Sequence, residues 1–96
     1  GKTISILIIG LLVPVYEEII FRGVILDSSQ RHLNFNAANI FQSLLFATVH
    51  GSLILFPVFF IFGMVTGFAR KQSGGLLPGI IIHILNNVIA IIGYFN

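Results

Sequence analysis

The chain alternates long apolar stretches with short polar ones, and this pattern predicts a membrane protein built from helices. Four apolar segments stand out, at roughly residues 3–26, 35–52, 54–70 and 75–95. Each is close to the ~20 residues that a helix needs to cross about 30 Å of hydrocarbon. We therefore predict an all-α fold, a polytopic transmembrane bundle of about four helices.

The linkers between these segments differ in character. Residues 27–34 are mostly polar, and Asn34 or Asn36 can cap the start of the second helix. Residues 70–75 form a basic turn with two glycines, and Pro78 then falls in the first turn of the fourth helix, where a missing N–H costs little. Residues 51–57 carry no charge, so we expect this turn to lie in the membrane interface or to be partly buried.

Composition agrees with the hydrophobic pattern. Apolar residues make up 56% of the 96 positions and charged residues only 8%, whereas soluble domains are about one quarter charged. A soluble protein could bury such helices in a large core, but a chain of this length has no outer layer to cover four of them. We expect residues 1–96 to form one transmembrane core, which can be a piece of a longer protein because the first residue is glycine.

Charge placement predicts the partners and the orientation. The net charge of +2 is small and forms no basic stripe, which argues against nucleic-acid binding and leaves the lipid bilayer as the expected surroundings. If all four segments cross, the 27–34 and 70–75 linkers share one side. They hold three basic residues and one acidic residue, namely Arg31, Arg70, Lys71 and Asp27. That excess places both linkers in the cytoplasm, and the Ile, Phe and Asn content favours a bacterial cell membrane.

The first apolar segment contains three ionisable residues, Glu17, Glu18 and Arg22. A charged residue at a helix centre costs about 2.5–3.5 kcal/mol on insertion scales, so such residues usually serve a function. Glu18 and Arg22 are four apart and can pair on one face. Glu17 is rotated by about 100° from Glu18 and can face another helix. Pro14 lies one turn upstream and is expected to kink or open the helix near the glutamates.

Two other segments contribute polar residues at similar depth. Phe46 and His50 share a face near the end of the second segment, and His83 and Asn87 share a face of the fourth. Counted from the linkers at ~1.5 Å per residue, Glu17, His50, His83 and Asn87 lie roughly 14, 20, 10 and 17 Å deep. A single histidine or asparagine could simply join two helices by a hydrogen bond. Together with the glutamates, they predict a functional site.

The residue types point to amide hydrolysis. A carboxylate partnered by an imidazole can activate water, and Glu17 and His50 fit those roles. An imidazole N–H and an amide NH₂ can stabilise an oxyanion, and His83 with Asn87 would supply them. A His-Glu-x-x-His helix is absent, no aspartate lies in a span, and Ser52 lacks a glycine-framed nucleophile motif. This chemistry needs no cofactor, but Glu17, His50 and His83 could alternatively bind a catalytic zinc ion.

These motifs resemble those of the CPBP family of intramembrane endopeptidases, which includes CAAX prenyl proteases and bacterial proteins associated with bacteriocin processing and self-immunity. The resemblance rests on Glu17-Glu18-x-x-x-Arg22, Phe46-x-x-x-His50 and His83-x-x-x-Asn87, in that order on successive helices. It implies that Glu17 and His50 activate water, that His83 and Asn87 hold the oxyanion, and that Glu18, Arg22 and Phe46 support the site.

The expected substrate is a peptide or protein that is lipidated or otherwise membrane-associated. The alternatives are a zinc-dependent form of the protease, a non-catalytic immunity or scaffold protein of the same family, and a proton relay or transporter, because buried acids also line ion paths.

Overall fold

A computed structural model describes residues 1–95; Asn96, the last residue of the predicted unit, lies outside the described part. Residues 1–95 contain helices and no strand, so the all-α prediction is confirmed. The four helices are α1, Lys2–Ser29; α2, Phe35–Val49; α3, Phe56–Ser73; and α4, Leu77–Phe95. They correspond one to one to the four apolar segments of the sequence.

Helix α1 is continuous but not uniformly α-helical. An α-helical turn at Val13–Glu18 lies between two π-helical stretches, Ile8–Leu12 and Ile19–Ile25. The buried Pro14 lies at the start of the α-helical turn. A π turn has one more residue in each hydrogen-bonded ring than an α turn, and such turns are frequent at functional sites. The predicted opening near the proline therefore takes the form of π turns on either side of the two glutamates.

An asparagine caps the start of α2, and glycines follow the ends of α2 and α3. The Asn34 side chain accepts a 2.8 Å hydrogen bond from the Ala37 N–H and so caps α2 as expected. Helix α2 ends at Val49, three residues before the predicted boundary, and Gly51 follows with φ of 71°. Helix α3 continues to Ser73, three residues past the prediction, and stops at Gly74 with φ of 73°. Both glycines adopt a left-handed conformation that other residues rarely reach.

A buried polar network joins α2 to α3. The Gln42 amide donates to the carbonyl of Gly63 at 2.9 Å and to Asn39 Oδ1 at 2.8 Å, while the Asn39 amide donates to the carbonyl of Met64 at 3.1 Å. The helices can approach closely here because Gly67 has no side chain, and a Cβ at this position would overlap the Asn39 side chain. This network fixes α2 along α3 and thereby sets the position of the residues at the end of α2.

Two of the helices, Lys2–Ser29 and Leu77–Tyr94, are long and apolar enough to cross a membrane. Helix α2 has 15 residues and spans about 22 Å, less than the ~30 Å of hydrocarbon. The turn between α2 and α3 exposes Leu53 and Ile54, which are 93% and 89% accessible. The turn therefore presents two exposed apolar side chains at the end of a helix that is too short to cross the hydrocarbon layer alone.

Candidate active site

The four predicted catalytic residues, Glu17, His50, His83 and Asn87, line a single cavity of about 410 Å³. Helix α1 contributes the glutamate, the end of α2 the first histidine, and α4 the second histidine and the asparagine. The remaining lining residues are Val13, Phe46, Val58, Phe59, Phe62 and Asn86. A mostly apolar cavity with a few convergent polar groups is the usual form of a ligand or active site.

Glu17 lies between the two histidines. Its Oε2 atom is 3.4 Å from His50 Nε2, and its Oε1 atom is 3.4 Å from His83 Nε2. The Glu17 side chain is 18% exposed, so it is partly shielded but still accessible from the cavity. One carboxylate therefore connects imidazoles from two other helices.

The backbone at the end of α2 orients His50. The His50 N–H donates to the carbonyl of Ala47, and the ring Nδ1 lies 2.6 Å from the carbonyl of Phe46. A carbonyl only accepts, so Nδ1 carries the proton and, in the neutral ring, Nε2 presents a lone pair towards Glu17. Phe59 stacks on the ring with centroids 4.1 Å apart, which limits its rotation.

His83 is held from behind by a buried ion pair. Its Nδ1 lies 2.8 Å from Glu18 Oε2, and the same oxygen is 3.0 Å from Arg22 Nη1. All three side chains are buried, and the Arg22 guanidinium packs 4.2 Å from the centre of the Phe46 ring. The expected Glu18–Arg22 pair is thus present, and Glu18 also bonds to His83, a contact that the sequence analysis did not predict.

Asn87 is anchored to α1. Its side-chain amide donates to the carbonyl of Ile9 at 3.1 Å, and its Oδ1 accepts from the Asn86 amide at 3.5 Å. An amide group carries two N–H donors, so the bond to Ile9 leaves a second one. The residue therefore lies at the cavity wall with a fixed orientation.

Sequence reasoning missed Phe59, Asn86 and Gly79 as parts of this site. Phe59 is one of ten phenylalanines, and composition gives no sign of which of them faces a histidine. Asn86 directly precedes Asn87, and this adjacency is the signal that could have identified it. Gly79 allows Glu18 to approach α4, since a Cβ at this position would lie 2.8 Å from Glu18 Oε1.

The donor types at the site suit zinc, although no three His, Asp or Glu side chains among residues 1–95 are arranged to hold a metal ion. His50 and His83 both direct Nε2 towards Glu17, while each Nδ1 is held by a carbonyl or a carboxylate. Metal-binding histidines are usually oriented in this way. Movement of the three side chains would be needed to complete such a site.

Comparison with known proteins identifies the family. The model of the family described as type II CAAX prenyl endopeptidase Rce1-like matches residues 1–89. An uncharacterized 24.3 kDa protein of Escherichia coli is 32% identical over 85 residues, which is 83% of this chain and 39% of that protein. The membrane-embedded CAAX protease MroQ of Staphylococcus aureus is 32% identical over 95 residues, which is 93% of this chain and 38% of MroQ.

The chain spans less than two fifths of the length of each of these relatives. No solved structure matches it. The match to the family model covers almost all of the chain and includes the three motifs that line the cavity. The chain is therefore a membrane protein that belongs to the type II CAAX prenyl endopeptidase Rce1-like family.

Proposed function

We propose that this protein is an intramembrane endopeptidase in which Glu17 and His50 activate a water molecule. The observation that carries the proposal is the 3.4 Å approach of Glu17 Oε2 to His50 Nε2 at the wall of the cavity. The family to which the chain belongs is described as a prenyl endopeptidase family, and MroQ is named a CAAX protease. Both names support proteolysis as the reaction.

The positions of Glu17 Oε2 and His50 Nε2 explain how a water molecule would be held. With Nδ1 of His50 donating to Phe46, the carboxylate of Glu17 and the Nε2 lone pair both require a donor. A water molecule has two O–H groups and can donate to both. Its oxygen then attacks the peptide carbonyl carbon as Glu17 takes one proton, and that proton passes to the leaving nitrogen when the C–N bond breaks.

His83 and Asn87 are suited to stabilise the oxyanion. Nδ1 of His83 donates its proton to Glu18. When the ring is doubly protonated, Nε2 carries a second proton, which points to the Glu17 side of the cavity. The second N–H of Asn87 provides another donor. Preorganised donors of this kind typically contribute about 10²–10³ in rate.

The surroundings indicate the class of substrate. Five of the ten residues that line the cavity are valine or phenylalanine, and the chain is a membrane protein. These two features support our proposal that the substrate is a membrane-associated or lipidated peptide or protein. In this proposal the protein is multi-pass in a bacterial cell membrane, with the 27–34 and 70–75 linkers in the cytoplasm.

A zinc-dependent form of the same reaction is the second candidate, favoured by the orientation of the two imidazoles. Glu17, His50 and His83 would hold the ion, and zinc would supply Lewis-acid activation of water. Chelator treatment distinguishes the two forms. Activity that is lost with a chelator and restored by added zinc supports the metal, whereas activity that persists supports the glutamate mechanism.

The proposal is tested by cleavage of a peptide library in proteoliposomes that contain the wild-type protein, Glu17→Gln or Asp27→Asn. The two variants each neutralise one carboxylate, but only Glu17 lines the cavity. We expect cleavage by the wild type and by Asp27→Asn and none by Glu17→Gln. Equal cleavage by both variants would refute the assignment. A biological effect that survives in Glu17→Gln would instead support a non-catalytic immunity or scaffold role.

A further inference from the structure

A second cavity, with a more polar lining than the first, lies at the end of the protein where the 27–34 and 70–75 linkers meet. It has a volume of about 230 Å³ and is lined by Leu26, Asp27, Gln30, Phe35, Arg70 and Lys71. Asp27 is ten residues beyond Glu17 along α1, which corresponds to about 15 Å. The cavity is therefore separate from the candidate active site.

The cationic groups of this cavity are arranged to receive an anion. Arg70 Nη2 lies 3.2 Å from Asp27 Oδ2, while the buried Nε of Arg70 has no hydrogen-bond partner among the described residues. The Lys71 ammonium lies 4.5 Å from the centre of the Phe35 ring. The lining therefore holds two cationic side chains and one carboxylate, so the cavity carries an excess positive charge.

The position of the cavity indicates the source of the anion. It lies where α1 and α3 end and α2 begins, beside the polar linkers, which is the level at which a bilayer places its headgroups. Guanidinium groups match phosphate oxygens with two parallel hydrogen bonds, and ammonium groups act as point charges for phosphate. We propose that this cavity binds the phosphate of an anionic phospholipid through Arg70 and Lys71, in competition with Asp27.

Native mass spectrometry of the full chain in detergent, with added phosphatidylglycerol or phosphatidylcholine, tests the proposal. We expect preferential retention of phosphatidylglycerol and a loss of at least several-fold in Lys71→Gln, whose side chain is exposed. Arg31→Gln removes an equal charge from an exposed position on the same side but outside the cavity, and it should retain the lipid. Equal loss in both variants would reduce the effect to general charge and overturn the site.

Asp27→Asn gives a sharper result. The variant releases Arg70 from its carboxylate partner, so we expect retention of phosphatidylglycerol to rise by several-fold. A site in which Asp27 only supports the local structure would instead bind less lipid, and this outcome would contradict the proposal. Competition with soluble glycerol phosphate separates the two sources of phosphate: failure to displace the lipid supports a lipid site, and displacement at equal concentration overturns it.

Discussion

The side-chain amide of Asn87 donates a 3.1 Å hydrogen bond to the backbone carbonyl of Ile9, which connects α4 to α1 at the edge of the cavity. This carbonyl is accessible because of the local helix geometry. The Val13 N–H donates to the carbonyl of Ile8, five residues back. In the same pattern the donor for Ile9 would come from residue 14, which is a proline and has no N–H. Pro14 thus leaves an acceptor for Asn87.

Replacement of Pro14 by alanine should therefore reduce cleavage. The new N–H competes for the Ile9 carbonyl, Asn87 loses its fixed orientation, and kcat/KM falls by about tenfold, which corresponds to the ~1.4 kcal/mol of one hydrogen bond. Pro57→Ala serves as the control, since Pro57 lies in the first turn of α3, where proline is tolerated. Equal kcat/KM in the two variants would show that Pro14 does not position Asn87.

Gly79 provides a second test of the positioning groups. A Cβ at Gly79 would lie 2.8 Å from Glu18 Oε1, so Gly79→Ala displaces the carboxylate that holds His83. Displacements of about 1 Å can cost ~10²-fold in rate, and we expect a loss of kcat/KM between 10- and 100-fold. Gly93→Ala makes the same change on α4 with nothing within 4 Å. It should leave activity unchanged, and a comparable loss in Gly93→Ala would point to a general effect on the helix.

The Glu18–Arg22 and Asp27–Arg70 ion pairs should differ greatly in their contribution to stability. Glu18→Gln leaves the buried Arg22 without its counter-charge, and breaking a buried pair in this way costs about 3–5 kcal/mol. Asp27→Asn breaks the more exposed pair with Arg70 and should cost about 1 kcal/mol or less. Unfolding followed by circular dichroism in mixed micelles measures both. Similar free energies of unfolding for the two variants would contradict the buried placement of Glu18.

The turn between α2 and α3 should lie in the apolar layer of the bilayer. The chain has no tryptophan, so Leu53→Trp and Leu33→Trp each introduce a single probe. We expect Leu53→Trp to show blue-shifted emission that lipids with brominated acyl chains quench, because the short α2 ends before the far interface. Leu33→Trp, in the polar linker, should be quenched by aqueous iodide. Equal iodide quenching of both probes would place the turn in water.

The sequence predicted the helices well because apolar length and linker polarity determine them. The four segments match α1 to α4, and the errors of three residues at α2 and α3 arise at Gly51 and Gly74, whose positive φ values decide where the helices stop. The sequence could not predict the π turns that surround Val13–Glu18. Such turns depend on packing between helices, and a single sequence carries no periodicity that identifies them.

Sequence reasoning named the four polar residues that meet at the cavity, but it missed Phe59, Asn86 and Gly79 and most of the contacts between side chains. Counting along each helix predicted depths for Glu17, His50 and His83 that differ by at most about 10 Å, and the structure brings both Nε2 atoms to 3.4 Å from the glutamate. Their side chains and the helix packing close the remaining distance. The bond from Glu18 to His83 could not be derived, because the rotation of α4 relative to α1 depends on contacts such as that at Gly79.

The most direct test of the account is a double-variant cycle of Glu17→Gln and His50→Gln, measured as kcat/KM for a peptide that the wild type cleaves in proteoliposomes. The two side chains act on the same water in our proposal, so each single variant should lose about 10²–10⁴-fold. The double variant should then be as active as the less active of the two single variants, because the losses from residues that act as a unit do not add. Losses that multiply in the double variant would show that the two residues act independently, and would contradict the central claim.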